Sequence, residues 1–371
     1  MHHKYGFHCN RTGNDVFDAF TRLRPAVVKL LDPDRDFVRE LRRLRPDVWV
    51  LGRLVVPAEE QARFVENPAA HGVAFAERLL RHETSSATWN GQRLLDAWEA
   101  YNEPLSESTS TAEQMRRYDD FQVAFGERLR REGLEPVGMN FATGNLLGSH
   151  FLRYFPGTLE SYTWLGFHEY DWPTLWRLHE ENIRDKGEGG MWLALRYRRV
   201  MELVRQVYGD KHKVLITECG LTQGVIPGRL DVGWRAEPAV TEESYWQSLL
   251  WYNRELLRDP YVQAALLFVV GAISPWQSFE HLGGIMERLI AYQAMLPPTA
   301  SLRSLLLDEA QRQQRIQFNP QASLQQRIFA DDFVPNSPEF AVDFAGRRYI
   351  AQRAEHLISG AVRVYYAADG E

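Results

Sequence analysis

Residues 94–104 read LLDAWEAYNEP. The apolar run Leu94 to Tyr101 is typical of a buried strand, and Asn102-Glu103-Pro104 ends that run with an acid. A second apolar run, Val214-Leu215-Ile216-Thr217, is followed in the same way by Glu218. Strands of a parallel sheet end at one common edge, so this pattern predicts that the two carboxylates meet there.

Short apolar runs alternate with longer helical stretches over most of the chain, which is the pattern of a parallel α/β sheet. Eight candidate strands can be counted: Tyr5 to Cys9, Ala26 to Leu31, Val48 to Val56, Leu94 to Tyr101, Pro136 to Phe141, Thr163 to Tyr170, Val214 to Cys219 and Ala264 to Ile273. Eight strands with helices between them, over about 295 residues, predict a (β/α)8 TIM barrel.

The segments between the strands carry recognisable helix ends. Ser110 with Glu113 three residues later predicts a capping box, and Gly133 predicts the end of that helix. Two further helices are predicted over residues 188–208 and 242–258, the second ending before Asp259-Pro260.

The pattern changes after Leu296-Pro297-Pro298. We therefore predict a barrel over residues 1–298 and a small α+β extension over 299–371. In the extension, Ser301 to Ile316 predicts an amphipathic helix, while Phe340 to Gln352 and Ala361 to Tyr366 alternate as strands of a small sheet do. No function can be assigned to the extension from its sequence.

Composition excludes some classes of protein. The chain has 371 residues and a formal net charge of -6, which disfavours a polyanion such as nucleic acid as partner. We expect no membrane partner, because no apolar run reaches the ~18 residues of a spanning helix. Cys9 and Cys219 fall on strands that we expect not to be neighbours, so no disulfide is predicted. The N-terminus shows no signal-peptide pattern, which predicts a cytoplasmic protein unless a leader was removed.

The two glutamates suggest a reaction class. Glycoside hydrolysis uses one carboxyl group to protonate the leaving oxygen and a second to attack the sugar or to activate water. If Glu218 points into the barrel, strand alternation directs Ile216 inward as well and Thr217 towards the helices. Arg53 interrupts the apolar third strand and would be costly to bury unpaired, so we predict that it forms a salt bridge with Glu218.

The chain resembles the clan A glycoside hydrolases, which are (β/α)8 barrels that retain anomeric configuration. The resemblance rests on Asn102-Glu103-Pro104 at the end of the fourth predicted strand and on Thr217-Glu218-Cys219-Gly220 at the end of the seventh. By architecture it covers about residues 5–296. Members of families 5 and 39 are similar, although none matches closely, and the segment after Pro298 has no counterpart in their pattern.

The resemblance implies roles for several residues. Glu103 would be the general acid/base, Glu218 the nucleophile, and Asn102 the donor to the sugar 2-hydroxyl. In this clan a histidine or tyrosine of the sixth strand contacts the nucleophile, and His168 and Tyr170 share one face of that strand.

Other residues near strand ends are candidates for binding sugar. The clan commonly places a tryptophan of the eighth strand under the sugar that is cleaved, and Trp276 lies just beyond that strand. His8 and Asn140 end the first and fifth strands and are candidate cleft residues, although capped turns would explain them equally well. Trp172 and Trp234 are candidate outer sugar platforms. Lys29, inside the second strand, is better explained as a structural ion pair.

The hypothesis that follows is a retaining glycoside hydrolase that acts on a β-linked oligo- or polysaccharide. One alternative is a carbohydrate-binding barrel without catalysis, because a fold alone does not assign function. Another is a metal-dependent hydrolase. The sequence has no His-Glu-x-x-His motif, no cysteine pair of metal-ligand spacing and no phosphate-binding glycine loop, so neither metal nor cofactor is expected.

Overall fold

The computed structural model describes residues 3–184, 193–236, 238–295, 323–331, 333–344, 347–356 and 362–368. The chain divides into two compact units. The larger comprises Lys4–Leu257 and Tyr261–Ile290, and the smaller comprises Met1–His3, Arg258–Pro260 and Ala291–Glu371. The predicted boundary at Pro298 lies outside the described residues, so that division stays a prediction.

The larger unit is a closed barrel of eight parallel strands, which confirms the predicted fold class. Its strands are β1 (Tyr5–Cys9), β2 (Val27–Leu31), β3 (Trp49–Arg53), β6 (Ala97–Glu99), β7 (Glu135–Phe141), β8 (Trp164–Asp171), β9 (Lys213–Leu221) and β10 (Val262–Val270). They pair in chain order, and β10 closes on β1. A separate hairpin of β4 (Thr88–Trp89) and β5 (Gln92–Arg93) precedes the fourth barrel strand.

Helices follow the barrel strands along the chain. They are α1 (Asn14–Leu23), α2 (Arg35–Leu44), α3 (Ala58–Gln61), α4 (Pro68–Leu80), α5 (Glu83–Ser86), α6 (Ala112–Arg130), α7 (Gly148–Tyr154), α8 (Pro156–Ser161), α9 (His179–Arg184), α10 (Tyr197–Tyr208), α11 (Glu242–Leu257) and α12 (Gly284–Met295). Among the described residues, no helix is long and apolar enough to cross a membrane.

The fourth barrel strand is shorter than its sequence predicts, since only three of the eight residues from Leu94 to Tyr101 pair as β6. Just before β6, the Asp96 carboxylate accepts hydrogen bonds from the Val50 N–H (2.7 Å) and from Arg42 (2.7 Å). The Asp96 backbone also bonds to both neighbouring strands, since its N–H donates to the Val50 carbonyl (3.0 Å) and its carbonyl accepts from the Glu135 N–H (2.9 Å).

Helix boundaries differ from prediction at two places. The capping box of α6 is Thr111 with Gln114, one residue later than predicted: the Thr111 hydroxyl accepts from the Gln114 N–H (3.2 Å), and the Gln114 side chain accepts from the Thr111 N–H (2.8 Å). The helix predicted over 188–208 lies partly outside the described residues. Its described part begins only at Tyr197, because Leu195 has a φ of 67° and cannot continue a helix.

Side chains of the barrel strands form an inner and an outer layer. The inner cluster contains only strand residues: Val27, Leu51, Ala97, Val137, Leu215, Ala264 and Leu266. Val214, Ile216 and Cys219 belong instead to the large cluster that includes the helices. The expectation that Ile216 faces inward is therefore wrong.

The correction has a physical cause, a β-bulge on β9. Ile216 pairs with Phe167 and Glu218 with His168, so Thr217 is an extra residue on its strand. A bulge re-aims the side chains that follow it. Leu215, Thr217 and Glu218 consequently all face the barrel interior, which simple alternation cannot produce.

The smaller unit contains the predicted sheet. Its strands are β11 (Phe333–Pro335), β12 (Phe340–Phe344), β13 (Arg347–His356) and β14 (Val362–Ala368), all antiparallel, with β13 central. Helix α13 (Ser323–Ala330) packs on this sheet through Leu324 and Ile328. The helix predicted over Ser301 to Ile316 lies outside the described residues.

The cap of α6 generates a stability prediction. Thr111→Ala removes the hydroxyl that accepts from the Gln114 N–H, and the free energy of unfolding should fall by about 1 kcal/mol. Urea denaturation measures the change. The control is Thr109→Ala, two residues earlier, where the side chain is exposed and has no hydrogen bond among the described residues. Equal losses in the two variants would contradict the capping role.

Candidate active site

Glu103 lies four residues beyond the end of β6, in a turn where its φ is 51°. Its N–H donates to the carbonyl of Asn140 (3.1 Å) on β7. Asn140 is itself the extra residue of a second bulge, because Met139 pairs with Gly166 and Phe141 with Phe167. The irregular backbone of β7 thus positions the Glu103 side chain, which keeps 35% of its surface exposed.

Glu218 lies next to the bulge on β9 and is only 6% exposed. Its Oε1 is 2.9 Å from Arg53 Nη1 and 3.2 Å from Lys29 Nζ. These cations come from β3 and β2, on the opposite side of the barrel from β9. The predicted ion pair between Arg53 and Glu218 is therefore present, and Lys29 adds a second.

The second oxygen of Glu218 faces β8. Tyr170 donates from its hydroxyl to Glu218 Oε2 (3.0 Å). Burial, together with the nearby Glu218 carboxylate, holds the pKa of Tyr170 well above its usual value, so the phenol remains a donor. His168, two residues earlier on β8, contacts the other glutamate: its Nδ1 shares a hydrogen bond with Glu103 Oε1 (2.7 Å) and lies 3.8 Å from Glu218 Oε2.

Arg53 also orients Asn102. Its Nη1 donates to Asn102 Oδ1 as well as to Glu218. Because a guanidinium can only donate, the amide oxygen of Asn102 must face it. The Asn102 Nδ2 group is then directed away from Arg53.

The surroundings of Glu218 determine its charge. Burial by itself would raise its pKa, but His168, Lys29 and His8 outweigh burial and hold the pKa well below its usual value. Burial and the neighbouring Lys29 lower the pKa of His8 from 6.5 to about 3. His8 is thus neutral near neutral pH, and its contact with Glu218 Oε1 (3.4 Å) is not an ion pair under those conditions.

The two glutamates meet at one cleft, at the ends of the strands. One carboxylate oxygen of Glu103, one of Glu218 and a ring nitrogen of His168 all lie within 4.8 Å of one another. The cleft has a volume of about 600 Å³ and is lined by Glu103, Glu218, Arg53, Asn102 and Tyr170, among others. A buried anion and an exposed carboxyl group at this separation can act on the same bond of a bound molecule.

The remaining predicted site residues lie in different places. Trp276 lines the cleft and packs edge-on against Phe268, with ring centroids 5.6 Å apart. His8 and Asn140 are almost fully buried beneath the cleft and are not part of its described wall. Trp172 packs on the large core cluster, also away from that wall.

One further expectation is wrong. Trp234 is only 5% exposed and packs against Tyr245, with ring centroids 5.1 Å apart, so it is not an exposed platform for sugar. Its position in a glycine-containing loop suggested exposure. The neighbouring Arg235 covers the indole ring instead, 4.8 Å from its centroid.

Several cleft residues were not predicted. Phe268 is on β10, and Asn145, Arg229 and Asp231 are on loops after β7 and β9. The position of Phe268 on the eighth strand could have suggested it. For the loop residues the sequence holds no signal, because loops that follow different strands meet only when the barrel closes.

Glu169 and Asp171, the other acids of β8, point away from the cleft as alternation predicts. Glu169 accepts hydrogen bonds from the Tyr252 hydroxyl (2.5 Å) and from the N–H groups of Leu195 (2.8 Å) and Tyr197 (2.9 Å). It thereby ties β8 to the segment before α10. Despite these donors, burial raises the pKa of Glu169 from 4.5 to about 7.

No protein-family model and no curated protein matches the chain. Among solved structures it is similar to a glucosidase from Croceicoccus marinus, with a TM-score of 0.52 and 12% identity, covering 98% of this chain and 74% of that one. It is also similar to β-glucuronidase 2 from Bacteroides uniformis (TM-score 0.49, 13% identity), covering 99% of this chain and 45% of that one.

A third similar structure is a GH5-4 endoglucanase from Clostridium acetobutylicum (TM-score 0.43, 10% identity), covering 78% of this chain and 96% of that one. At 12% identity the similarity to the Croceicoccus marinus structure establishes the fold alone.

Glu169 generates a prediction about pH. Its pKa is higher in the folded state (about 7) than its ordinary value of 4.5, so the folded state binds the proton more tightly. The stability that this proton provides is complete below pH 4.5 and is lost as the pH rises to 7. Glu169→Gln carries no such proton, so the variant should be more destabilised relative to the wild type at pH 5 than at pH 8.

Urea denaturation at those two pH values measures the difference. The control is Glu202→Gln, an exposed glutamate of α10 whose ion pair with Arg199 lies at the surface, so only a small difference is expected at either pH. A pH-independent difference for Glu169→Gln would show that Glu169 does not titrate in this range.

Proposed function

We propose that the protein is a retaining glycoside hydrolase that cleaves a β-linked glycan or glycoside by double displacement. The observation that carries this proposal is the approach of Glu103 and Glu218 to within 4.8 Å at one cleft. Retaining enzymes hold their two carboxyl groups about 5 to 5.5 Å apart, whereas inverting enzymes leave about 6.5 to 9.5 Å for a water molecule. The observed separation favours the retaining class.

In the first step Glu218 attacks the anomeric carbon and forms a glycosyl ester, while the bond from that carbon to the leaving oxygen breaks. Glu103 gives its proton to the leaving oxygen. The low pKa of Glu218 keeps the attacking carboxylate ionised, and Tyr170 orients it through Oε2. Asn102, held by Arg53, offers its amide hydrogens to the sugar 2-hydroxyl.

In the second step water attacks the same carbon and Glu103, now a carboxylate, removes a proton from that water. The exposure of Glu103 supports this role, because solvent reaches its side chain while Glu218 stays buried. The ester bond then breaks and Glu218 regains its charge. His168, hydrogen-bonded to Glu103, keeps that side chain directed at the same point in both steps.

A metal-dependent reaction would require the acidic and histidine side chains of the cleft to bind a metal ion. Glu103, His168 and Glu218 could offer three ligand atoms to an ion. Glu218 Oε1, however, already contacts Lys29 and Arg53, and their positive charge opposes a metal cation there. Activity that survives a chelator is therefore expected.

Replacing each glutamate tests the proposal. Glu103→Gln and Glu218→Gln should each lower turnover of a responsive glycoside by at least about 10²-fold, because each removes a proton donor or a nucleophile. Glu103→Gln should leave the melting temperature nearly unchanged. Glu218→Gln should lower it, because Lys29 and Arg53 lose a buried partner.

The matched control is Glu107→Gln. Glu107 has a similar exposure (32%) and also contacts a histidine, His150 (2.7 Å), but it is not part of the cleft wall described above. Its variant should keep most of the activity. If a broad glycan panel raises the melting temperature of the wild type and none is cleaved, a carbohydrate-binding barrel replaces the hydrolase.

A second prediction concerns stereochemistry. Two successive displacements at one carbon restore its configuration, so the first sugar released should have the same anomeric form as the substrate. Proton NMR at the start of hydrolysis, before mutarotation, distinguishes the two anomers. Release of the opposite anomer would show a single displacement by water and would rule out Glu218 as nucleophile.

A further inference from the structure

Below Glu218, inside the barrel, lies a pair of fully buried charged residues. Lys29 on β2 and Glu99 on β6 are each 0% exposed, and Lys29 Nζ is 2.7 Å from Glu99 Oε2. The same Nζ is 3.2 Å from Glu218 Oε1 and donates to the carbonyl of Thr217 (3.4 Å). Lys29 therefore contacts Glu99, the nucleophile candidate and the bulge beside it.

The charges in this part of the barrel balance. Among the described residues, Lys29 is the one cation within ion-pair distance of Glu99. Glu218 lies against both Lys29 and Arg53. Glu99 thus offsets one of the two positive charges that would otherwise act on Glu218.

Stability alone does not explain this pair. The inner cluster around it consists of aliphatic side chains such as Leu51 and Ala97, and apolar residues could fill the same space. Replacing a buried ion pair with apolar residues is often neutral or stabilising, because burying charges is costly. A pair kept against that cost, in contact with a buried carboxylate, points to an effect on that carboxylate.

We propose that Lys29 and Glu99 act together as positioning residues for Glu218, with Lys29 holding its carboxylate and Glu99 limiting the positive charge that acts on it. This inference rests on the proposed role of Glu218 as nucleophile. Lys29 acts through Glu218 and does not line the cleft, so it touches no substrate.

The pair of Lys29 and Glu99 also keeps its charges balanced when Glu218 changes charge during the proposed reaction. When Glu218 becomes a glycosyl ester it loses its charge, and a lysine without another partner would be left as a buried, uncompensated cation. Glu99 keeps Lys29 paired in that state. Lys29 is then in place to receive the carboxylate when the ester is hydrolysed.

The other charged or titratable groups that face Glu218 come from several elements. They are His8 on β1, Arg53 on β3, Glu103 after β6, and His168 and Tyr170 on β8. Variants of Lys29 and Glu99 leave all of these in place. A change in the titration of Glu218 can therefore be assigned to the pair.

The test uses two substitutions with opposite expected effects. Lys29→Met keeps the side-chain length but removes the cation, so the midpoint of the Glu218 titration should move to higher pH. Glu99→Gln leaves Lys29 without its other partner, so Glu218 should face more positive charge and its midpoint should move to lower pH. A purely structural ion pair predicts losses of stability without these opposite shifts.

The primary measurement is carbon NMR titration of the full chain labelled with glutamate enriched in ¹³C at the carboxyl carbon. The Glu218 signal is assigned by its absence in Glu218→Gln. The acid limb of the kcat/KM profile, which reports ionisation of the free enzyme, should move in the same direction as the NMR midpoint in each variant.

A matched control is Arg42→Met. Arg42 is also a buried cation paired with a carboxylate, Asp96 (2.7 Å), but it lies at the opposite end of the strands, where it donates to the carbonyls of Val48 and Leu94. The Arg42→Met variant should be less stable than the wild type, and its Glu218 titration midpoint should be unchanged. Unchanged midpoints in both test variants, shifts in one common direction, or an equal shift in the control would overturn the proposal.

Lys29→Met leaves Glu99 buried without a partner and can fail to fold. In that case the double variant Lys29→Met/Glu99→Gln, which removes both charges, takes its place. Its Glu218 midpoint should lie above that of the wild type, because Lys29 is in direct contact with Glu218. An unchanged midpoint in the double variant would also overturn the proposal.

The outcomes separate this inference from the proposed function. The NMR titration needs no substrate, so it remains informative if the wild type cleaves no glycan in the panel. If the wild type cleaves a glycan and the Glu218 midpoint is unchanged in the variants, the positioning role of Lys29 and Glu99 is wrong while the proposed function stands.

Discussion

The constraint on which the site depends is a negative charge held inside the barrel. Glu218 is 6% exposed, and an ionised carboxylate in such a place is stable only if cations and hydrogen-bond donors surround it. Its partners come from β1, β2, β3 and β8. In an open sheet β8 would lie several strands away from β2 and β3. Closure of the barrel therefore brings the partners that stabilise this buried charge together.

Two bulges then aim the reactive groups. The extra residues, Asn140 on β7 and Thr217 on β9, lie on either side of β8, and the Thr217 hydroxyl donates to Asn140 Oδ1 (3.0 Å). That contact passes over Gly166 of β8, where an added Cβ would lie only 1.8 Å from Asn140 Oδ1. A glycine is required there, because any side chain would displace Asn140. The backbone carbonyl of Asn140 accepts from the N–H of Glu103, so Asn140 contacts both the bulge beside Glu218 and the turn that carries Glu103.

The pattern of apolar runs was sufficient to predict eight strands, because a strand buried on both faces needs consecutive apolar residues. The prediction was less successful where side chains compete with the backbone for hydrogen bonds. Thr111 rather than Ser110, for example, caps α6. The prediction for Trp234 was wrong because a loop sequence does not show which side chain will cover it.

Periodicity and the cost of burying charge were enough to predict the barrel, the positions of Glu103 and Glu218 near strand ends, and the need of Arg53 for a carboxylate. The remaining contacts depend on the closed barrel. Glu218 turns inward beside a bulge, His168 contacts Glu103, Tyr170 contacts Glu218, and Lys29 bridges Glu99 and Glu218. Those contacts join residues up to 189 positions apart, and their distances depend on strand register and closure, which no local stretch of sequence encodes.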